Sequence, residues 1–200
     1  MRDTIVTKAL KCIDEIYPDE NTLNEGYLPT DAFIDEAVRW VIDNAPTHLL
    51  TIRGYGVDVA NFENKDGVVE LEVVDNGRIV YVKCADWHRP VFDLISEQNP
   101  LYRQQMNKVL RGNPTRPVVV RKGHALNGGD YTLELYTTNA TSDGDIDIQV
   151  VPYSVDSIPT YLADITAWKL AEIVLMSMSD VQAASVCTAR VNEHLQQLSL

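Results

Sequence analysis

Four histidines (His48, His88, His124, His194), three cysteines (Cys12, Cys84, Cys187) and an alternating run of Asp143, Asp145 and Asp147 are the chain's candidates for metal or nucleophilic chemistry. Zinc needs His and Cys ligands a few residues apart, closing into a tetrahedral set. Cys84 and His88 stand four residues apart, but no second such pair accompanies them to close a set, and His-Glu-x-x-His does not occur. The cysteines are odd in number and widely separated, so they form neither a disulfide framework nor a Cys-x-x-Cys pair. A calcium loop of the EF-hand type requires Gly at its sixth position and Glu at its twelfth. Counted from Asp143, those positions hold Ile148 and Ser154. The run reads instead as an acidic turn entering a strand, with Ile146 and Ile148 facing inward. The Gly-x-Ser-x-Gly elbow, the phosphate-binding Gly-x-x-x-x-Gly-Lys and the Rossmann glycine fingerprint are all missing. The residues therefore predict no metal, no cofactor and no enzyme. A catalytic role would have to rest on Asp86, His88 or His124.

Charge is distributed far more pointedly. Residues 98–129 contain Arg103, Lys108, Arg111, Arg116, Arg121 and Lys122 and no acid. The remaining residues hold all 29 acids and 11 Lys/Arg, a net −18 against +6 for the segment. Such a strip repels itself unless its charges spread, pair with acidic surface, or meet a polyanion. With so acidic a remainder, a second copy of the same chain is a ready partner, which favours ring-like or head-to-tail self-association. The alternative is a nucleic-acid-binding module that uses the strip, with Trp87 or Tyr102 stacking on bases. The bland reading is a packed corner: Trp87 in a core, Pro90 and Pro117 setting turns, arginines solvated.

These residues must be positioned by the elements around them. Ile5, Ala9, Cys12, Ile13 and Ile16 recur at helical spacing over Thr4 to Ile16, and Tyr17-Pro18-Asp19 stops the run. After Leu28-Pro29, Thr30 is a suitable N-cap for a second helix reaching about Asn44, and Ala45 before Pro46 ends it. The middle is loop-rich around Gly54, Gly56, Asn64 and Gly67, then β-branched. Strands are predicted at Val68–Val74, Arg78–Cys84, Val118–Arg121, Tyr131–Thr138 and Ile146–Val151. Asp75-Asn76-Gly77 carries a hairpin-type turn signal between the first two, and Asn127-Gly128-Gly129 and Ser142-Asp143-Gly144 mark later turns. A short helix is expected over Pro100–Leu110. A helix opened by Ser157-Ile158-Pro159-Thr160 runs through Met178, apolar on more than one face and hence central. Ser177 to Asp180 breaks it. The last helix carries Val181, Ala184, Thr188, Val191, Leu195 and Leu198 at alternating steps of three and four. The expected fold is α+β: a helical bundle from residues 1–50 and 157–200, with an inserted β-rich, sandwich- or barrel-like region at 51–156.

With 45 % apolar and 23 % charged residues, the composition is that of a globular protein. A net charge of −12 argues against general affinity for nucleic acid or anionic membrane. Lys169 and Glu172 interrupt the longest apolar stretch, so no membrane span is expected, and no signal peptide is apparent. A soluble protein of a reducing compartment is predicted, or one assembled inside a cell.

The pattern Asp86-Trp87-His88-Arg89-Pro90-Val91, followed by Tyr102, Gln105, Asn107 and Arg111-Gly112-x-Pro114-x-Arg116-Pro117-Val118, resembles the head-to-tail connector (adaptor or ring) proteins of tailed phages, in particular the crAss-like phages. The resemblance implies a structural virion protein, assembled in the host cytoplasm. Rings of about twelve copies would sit under the portal, extend the DNA channel without binding DNA specifically, and meet further tail proteins. It implies no catalysis and no cofactor. Trp87, Arg89, Arg103, Lys108, Arg111, Arg116, Arg121 and Lys122 are then the candidate contacts to a subunit or neighbouring ring.

Overall fold

The computed structural model describes residues 1–17, 30–50, 59–123 and 130–198. The readings at Pro18-Asp19, Leu28-Pro29, Gly54, Gly56, His124 and Asn127-Gly128-Gly129 lie outside the described residues. The chain is α+β and divides into two compact units: Met1–Thr51 with Tyr153–Leu200, and Ile52–Pro152.

The first unit is helical. Helix α1 (Arg2–Ile16) buries Ile5, Ala9, Cys12 and Ile13, and α2 (Asp31–Asn44) buries Ile34, Ala37, Val38, Val41 and Ile42. Both stripes follow the 3.6-residue period that turns one face inward. Thr30 occupies the N-cap of α2 in extended conformation, but its side chain makes no capping bond; its carbonyl accepts from Phe33 and Ile34 instead. At the other end Ala45 is extended, as a residue before proline must be.

Two further α-helices of this unit are described; α3, Pro100–Gln105, belongs to the other. Thr160–Leu162 forms a single 3-10 turn, and α4 (Ala163–Ser177) follows. Helix α4 buries nine side chains around much of its circumference and packs against α1, α2 and α5 (Val181–Leu198). Ser179 at φ 64° makes the break, and the Asp180 carboxylate accepts from Ala183 N–H to cap α5. The apolar stripe of α5 differs from the expected one. Ala183, Ala184, Cys187 and Val191 are buried, whereas Val181 and Thr188 are exposed. Small residues let α5 approach α4 closely, and the larger Val181 at its start is left outside.

Among the described residues the second unit holds two open sheets. One has the order β1 (Val59–Lys65), β2 (Val68–Val73), β6 (Tyr131–Tyr136), β5 (Val119–Lys122), β4 (Ile95–Ser96). All its neighbours are antiparallel except β4 and β5. The other pairs β3 (Gly77–Cys84) with β7 (Ile146–Pro152) antiparallel. One apolar cluster draws on both sheets: Val69, Leu71 and Val73 of β2, Leu133 and Leu135 of β6, Val82 and Cys84 of β3, Ile148 and Val150 of β7. Among the described residues no sheet closes, so the barrel-like expectation is not met.

The Asp75-Asn76-Gly77 hairpin is also corrected, because β2 and β3 belong to different sheets. A tight two-residue hairpin of this type needs positive φ at both central residues. Neither Asn76 nor Gly77 has it, whereas Asp66 (φ 54°) and Gly67 (φ 76°) do. Those two residues join β1 to β2, with Lys65 opposite Val68. Gly77 serves a close approach: a Cβ there would stand 2.5 Å from the Val151 carbonyl oxygen. Strands β1 and β4 lie where only loop was expected.

Candidate functional site

The two halves of the Trp87-to-Val118 pattern meet in space. Asp86 lies in the turn that follows β3, and its carboxylate accepts from the Thr138 hydroxyl (2.8 Å) and from Asn139 N–H (2.9 Å). Trp87 donates its indole N–H to the Thr137 carbonyl (3.2 Å), and the Thr137 hydroxyl donates to the Gly112 carbonyl. His88 N–H donates to the Pro114 carbonyl (2.9 Å). The Asn113 side chain accepts from Thr115 and Arg116 N–H, which folds residues 113–116 into a tight turn. Gly112 sits in a crowded position, where a Cβ would come 3.0 Å from Val118 and 3.1 Å from the Arg116 carbonyl oxygen.

Trp87, expected among the contact residues, lies in the interior of its unit. It is 3 % exposed and belongs to the apolar cluster of the unit.

The six basic residues of the strip divide by environment. Lys122 points from β5 at Glu134 on β6 and forms an ion pair with it, while Tyr136 O–H donates to the same carboxylate (2.7 Å). Every residue of β6 is buried, so its second face, with Thr132, Glu134 and Tyr136, is an internal polar layer. Burial opposes the Lys122 charge, but the bonded Glu134 carboxylate outweighs it, and the pKa of the ammonium rises above its ordinary value. Burial together with the Glu134 bond pushes the Tyr136 hydroxyl well up; burial takes Tyr131 to about 12 in spite of Arg121. Arg121 lies 4.1 Å over the Tyr131 ring and 3.7 Å from the Asp75 carboxylate. Arg111 stands 5.6 Å over Tyr136 and donates to the carbonyls of Gln105 (3.3 Å) and Asp66 (3.5 Å). These three cations bind their own chain, so the expectation of them as partner contacts is not supported by their placement.

The others face outward. Arg89, Arg103 and Arg116 are exposed, and their side chains have no ion pair or hydrogen bond among the described residues. Lys108 is exposed, 3.9 Å from Asp66. Arg89 and Arg116 flank the His88–Pro114 junction, while Arg103 and Lys108 belong to the segment around α3.

Helix α3 is shorter than the expected Pro100–Leu110. Asn99 caps it by accepting from Leu101 N–H (3.0 Å), and Pro100 suits the first turn. It ends at Gln105 because that side chain turns inward, donating to the Leu101 carbonyl (3.0 Å) and accepting from Gly112 N–H (2.7 Å). Asn107 then accepts from Val109 N–H (2.9 Å), a local bond that competes with helix continuation. Leu101, Met106, Val109 and Leu110 are left exposed, Val109 at 89 %. This apolar exposure was not anticipated. The signal was the apolar residues at 106, 109 and 110 within the run expected as a short helix.

The acidic turn is likewise local. Asp145 accepts from the Thr141 hydroxyl (3.0 Å) and N–H (2.8 Å), and these bonds hold its pKa below the ordinary carboxylate value. Burial raises the Cys12, Cys84 and Cys187 thiols to about 12, so at neutral pH they are protonated and poor nucleophiles. No group of three or more His, Cys, Asp or Glu among the described residues is placed to hold a metal ion. A cleft of about 500 Å³ in the helical unit is lined by Lys8, Cys12, Asp164, Trp168, Arg190 and His194 among others. Its charges are mixed, and Lys8 is paired with Asp164. No described helix is long and apolar enough to cross a membrane. No protein-family model matches the chain, and no curated protein does either.

Proposed function

We propose that this chain is a structural virion protein whose copies form a ring between capsid portal and tail. In this reading the helical unit acts as a bundle making lateral contacts, and the β-rich unit, built like a small open sandwich, meets a neighbouring component. The observation that carries the proposal is the exposure of Arg89, Arg103 and Arg116, without ion pairs among the described residues, in a chain of net charge −12. An outward cationic surface on an acidic protein favours contact with another copy of that protein. The resemblance of the Asp86-to-Val118 pattern to phage connectors supports the same reading, and Asp86, Trp87, Gly112 and Pro114 then serve as its internal scaffold. Burial of Trp87 and the internal pairing of Lys122 and Arg121 leave the nucleic-acid alternative with Tyr102 as its stacking group and without two of its cations.

Mass photometry of the chain with and without the cognate portal, followed by symmetry determination on the assembled particles, tests the proposal. Closed rings on the portal, with no DNA affinity at physiological salt, are expected. Tight DNA binding that falls steeply with salt and is lost in Arg116→Glu, with no particle formed on the portal, would overturn it.

A further inference from the structure

Within residues 100–112, Leu101, Met106, Val109 and Leu110 are exposed on a short stretch whose backbone is unusually well tied down. Gln105, itself 3 % exposed, bridges Leu101 to Gly112. Arg111 bonds the Gln105 carbonyl and lies over Tyr136, and Asn107 braces the turn through Val109 and Leu110 N–H. A loop serving only as a connection has no need of a fixed framework beneath outward apolar side chains. A preorganised apolar centre with a charged rim is the anatomy of a docking surface, since little ordering cost remains to be met on binding. Arg103 and Lys108 supply that rim, with Asp66 the acid that approaches Lys108.

Charge selects the occupant. The unit formed by Met1–Thr51 and Tyr153–Leu200 contains 15 acids and 6 Lys/Arg, a net −9, whereas Ile52–Pro152 contains 14 and 11, a net −3. Two copies meeting segment to segment would oppose Arg103 and Lys108 with their own equivalents, and like charges across an interface are costly. A two-fold contact through this segment is therefore disfavoured. We infer that residues 100–112 dock on the acidic helical surface of a second copy of this chain, as a heterologous, head-to-tail contact. Such contacts propagate from copy to copy and close into a ring when the rotation permits. The inference rests on the connector reading only for the ring; the contact itself is argued from this surface alone.

The test places a photo-crosslinking residue at position 109, where the side chain is almost fully solvated. The full-length protein is prepared as an isotope-labelled and an unlabelled pool, mixed at about 0.1 mM, irradiated and analysed by peptide mass. Mixed-isotope crosslinks from residue 109 to peptides of Met1–Thr51 or Tyr153–Leu200 are expected. Their yield should fall severalfold between about 50 and about 500 mM salt, and about tenfold in Arg103→Glu, with unchanged thermal unfolding. Crosslinks to residues 100–112 of the other copy, crosslinks within one chain only, or no crosslinks at all would each overturn the inference. Val109→Asp in the unmodified chain separates the two claims. Portal-bound rings that survive this substitution overturn the docking surface and leave the connector reading standing. Interchain crosslinks from 109 in a chain that ignores the portal support the docking surface and overturn the connector.

Discussion

Trp87→Phe separates a scaffold role for the Asp86-to-Val118 corner from a contact role. The indole is 3 % exposed, within a cluster drawn from both sheets, and its N–H is the donor to Thr137. Phenylalanine removes that donor and leaves a carbonyl in need of a partner, which costs about 1–3 kcal/mol. The smaller ring also leaves a void within that cluster, adding about 1 kcal/mol. The expected loss is ~2–4 kcal/mol, and Trp87→Ala should reach ~3–5 kcal/mol. Because the chain has two units, a single melting temperature mixes them. Native-state amide exchange of β2 and β6 reports the β-rich unit alone. The opening free energy of those amides should fall by the stated amount, while exchange in α4 is unchanged. Folded Trp87→Phe should associate with wild-type affinity once its concentration is corrected for the unfolded fraction. A variant that keeps wild-type protection but loses association would refute the argument, because the indole would then be acting at a surface.

Other outcomes follow from single distances. Gly77→Ala forces a Cβ against the Val151 backbone and should cost about 3 kcal/mol, at the upper end of overpacking penalties. Gly123→Ala, with nothing within 4 Å of the added carbon, should stay within about 0.5 kcal/mol by denaturant unfolding. Glu134→Gln leaves Lys122 without its counter-charge; the lysine side chain keeps 26 % exposure, so ~1–3 kcal/mol is expected, below the cost for a fully buried pair. Tyr131 and Tyr136 ionise less readily folded than unfolded. Their contribution to stability is therefore full below pH 10, their ordinary value, and declines as pH rises above it, by up to ~1.4 kcal/mol per pH unit for each. Tyrosinate absorbance should show these two groups titrating together with the loss of β-sheet ellipticity; full titration before any such loss would contradict their burial.

Much of the helical part was legible because amphipathic periodicity is a local property. Ile5, Ala9, Cys12 and Ile13 mark their face without knowledge of what covers it, and Ala45-Pro46 ends α2 by sterics between neighbours. In the β-rich part strand positions were legible and partners were not. Asp75-Asn76-Gly77 has the composition of a hairpin turn, but composition is only permissive. The backbone adopts positive φ at Asp66-Gly67 instead, and Gly77 is used for its missing Cβ beside Val151. Strand β1 was missed because its burial alternates poorly, with much of Val59–Lys65 facing solvent at a sheet edge.

The sequence by itself determined where charge accumulates: an acid-free segment at 98–129 in an acidic chain is a fact of composition that no folding alters. It also brought Trp87 and the Gly112-to-Arg116 turn to attention as one pattern. Only the tertiary structure decided what each side chain does there. Pairing of β5 with β6 sets Val120 opposite Glu134, which shares a face of β6 with Tyr136, and so turns Lys122 inward, while β2 closes the other side of β6 from some 60 residues away in sequence. Trp87 becomes core because Thr137 and the two sheets close around it. Arg103, Lys108 and the apolar residues 106–110 remain outside because Gln105 and Arg111 take the inward positions. Long-range pairing decides which members of a charged run are neutralised at home and which are left for another molecule, and no spacing along the chain encodes it.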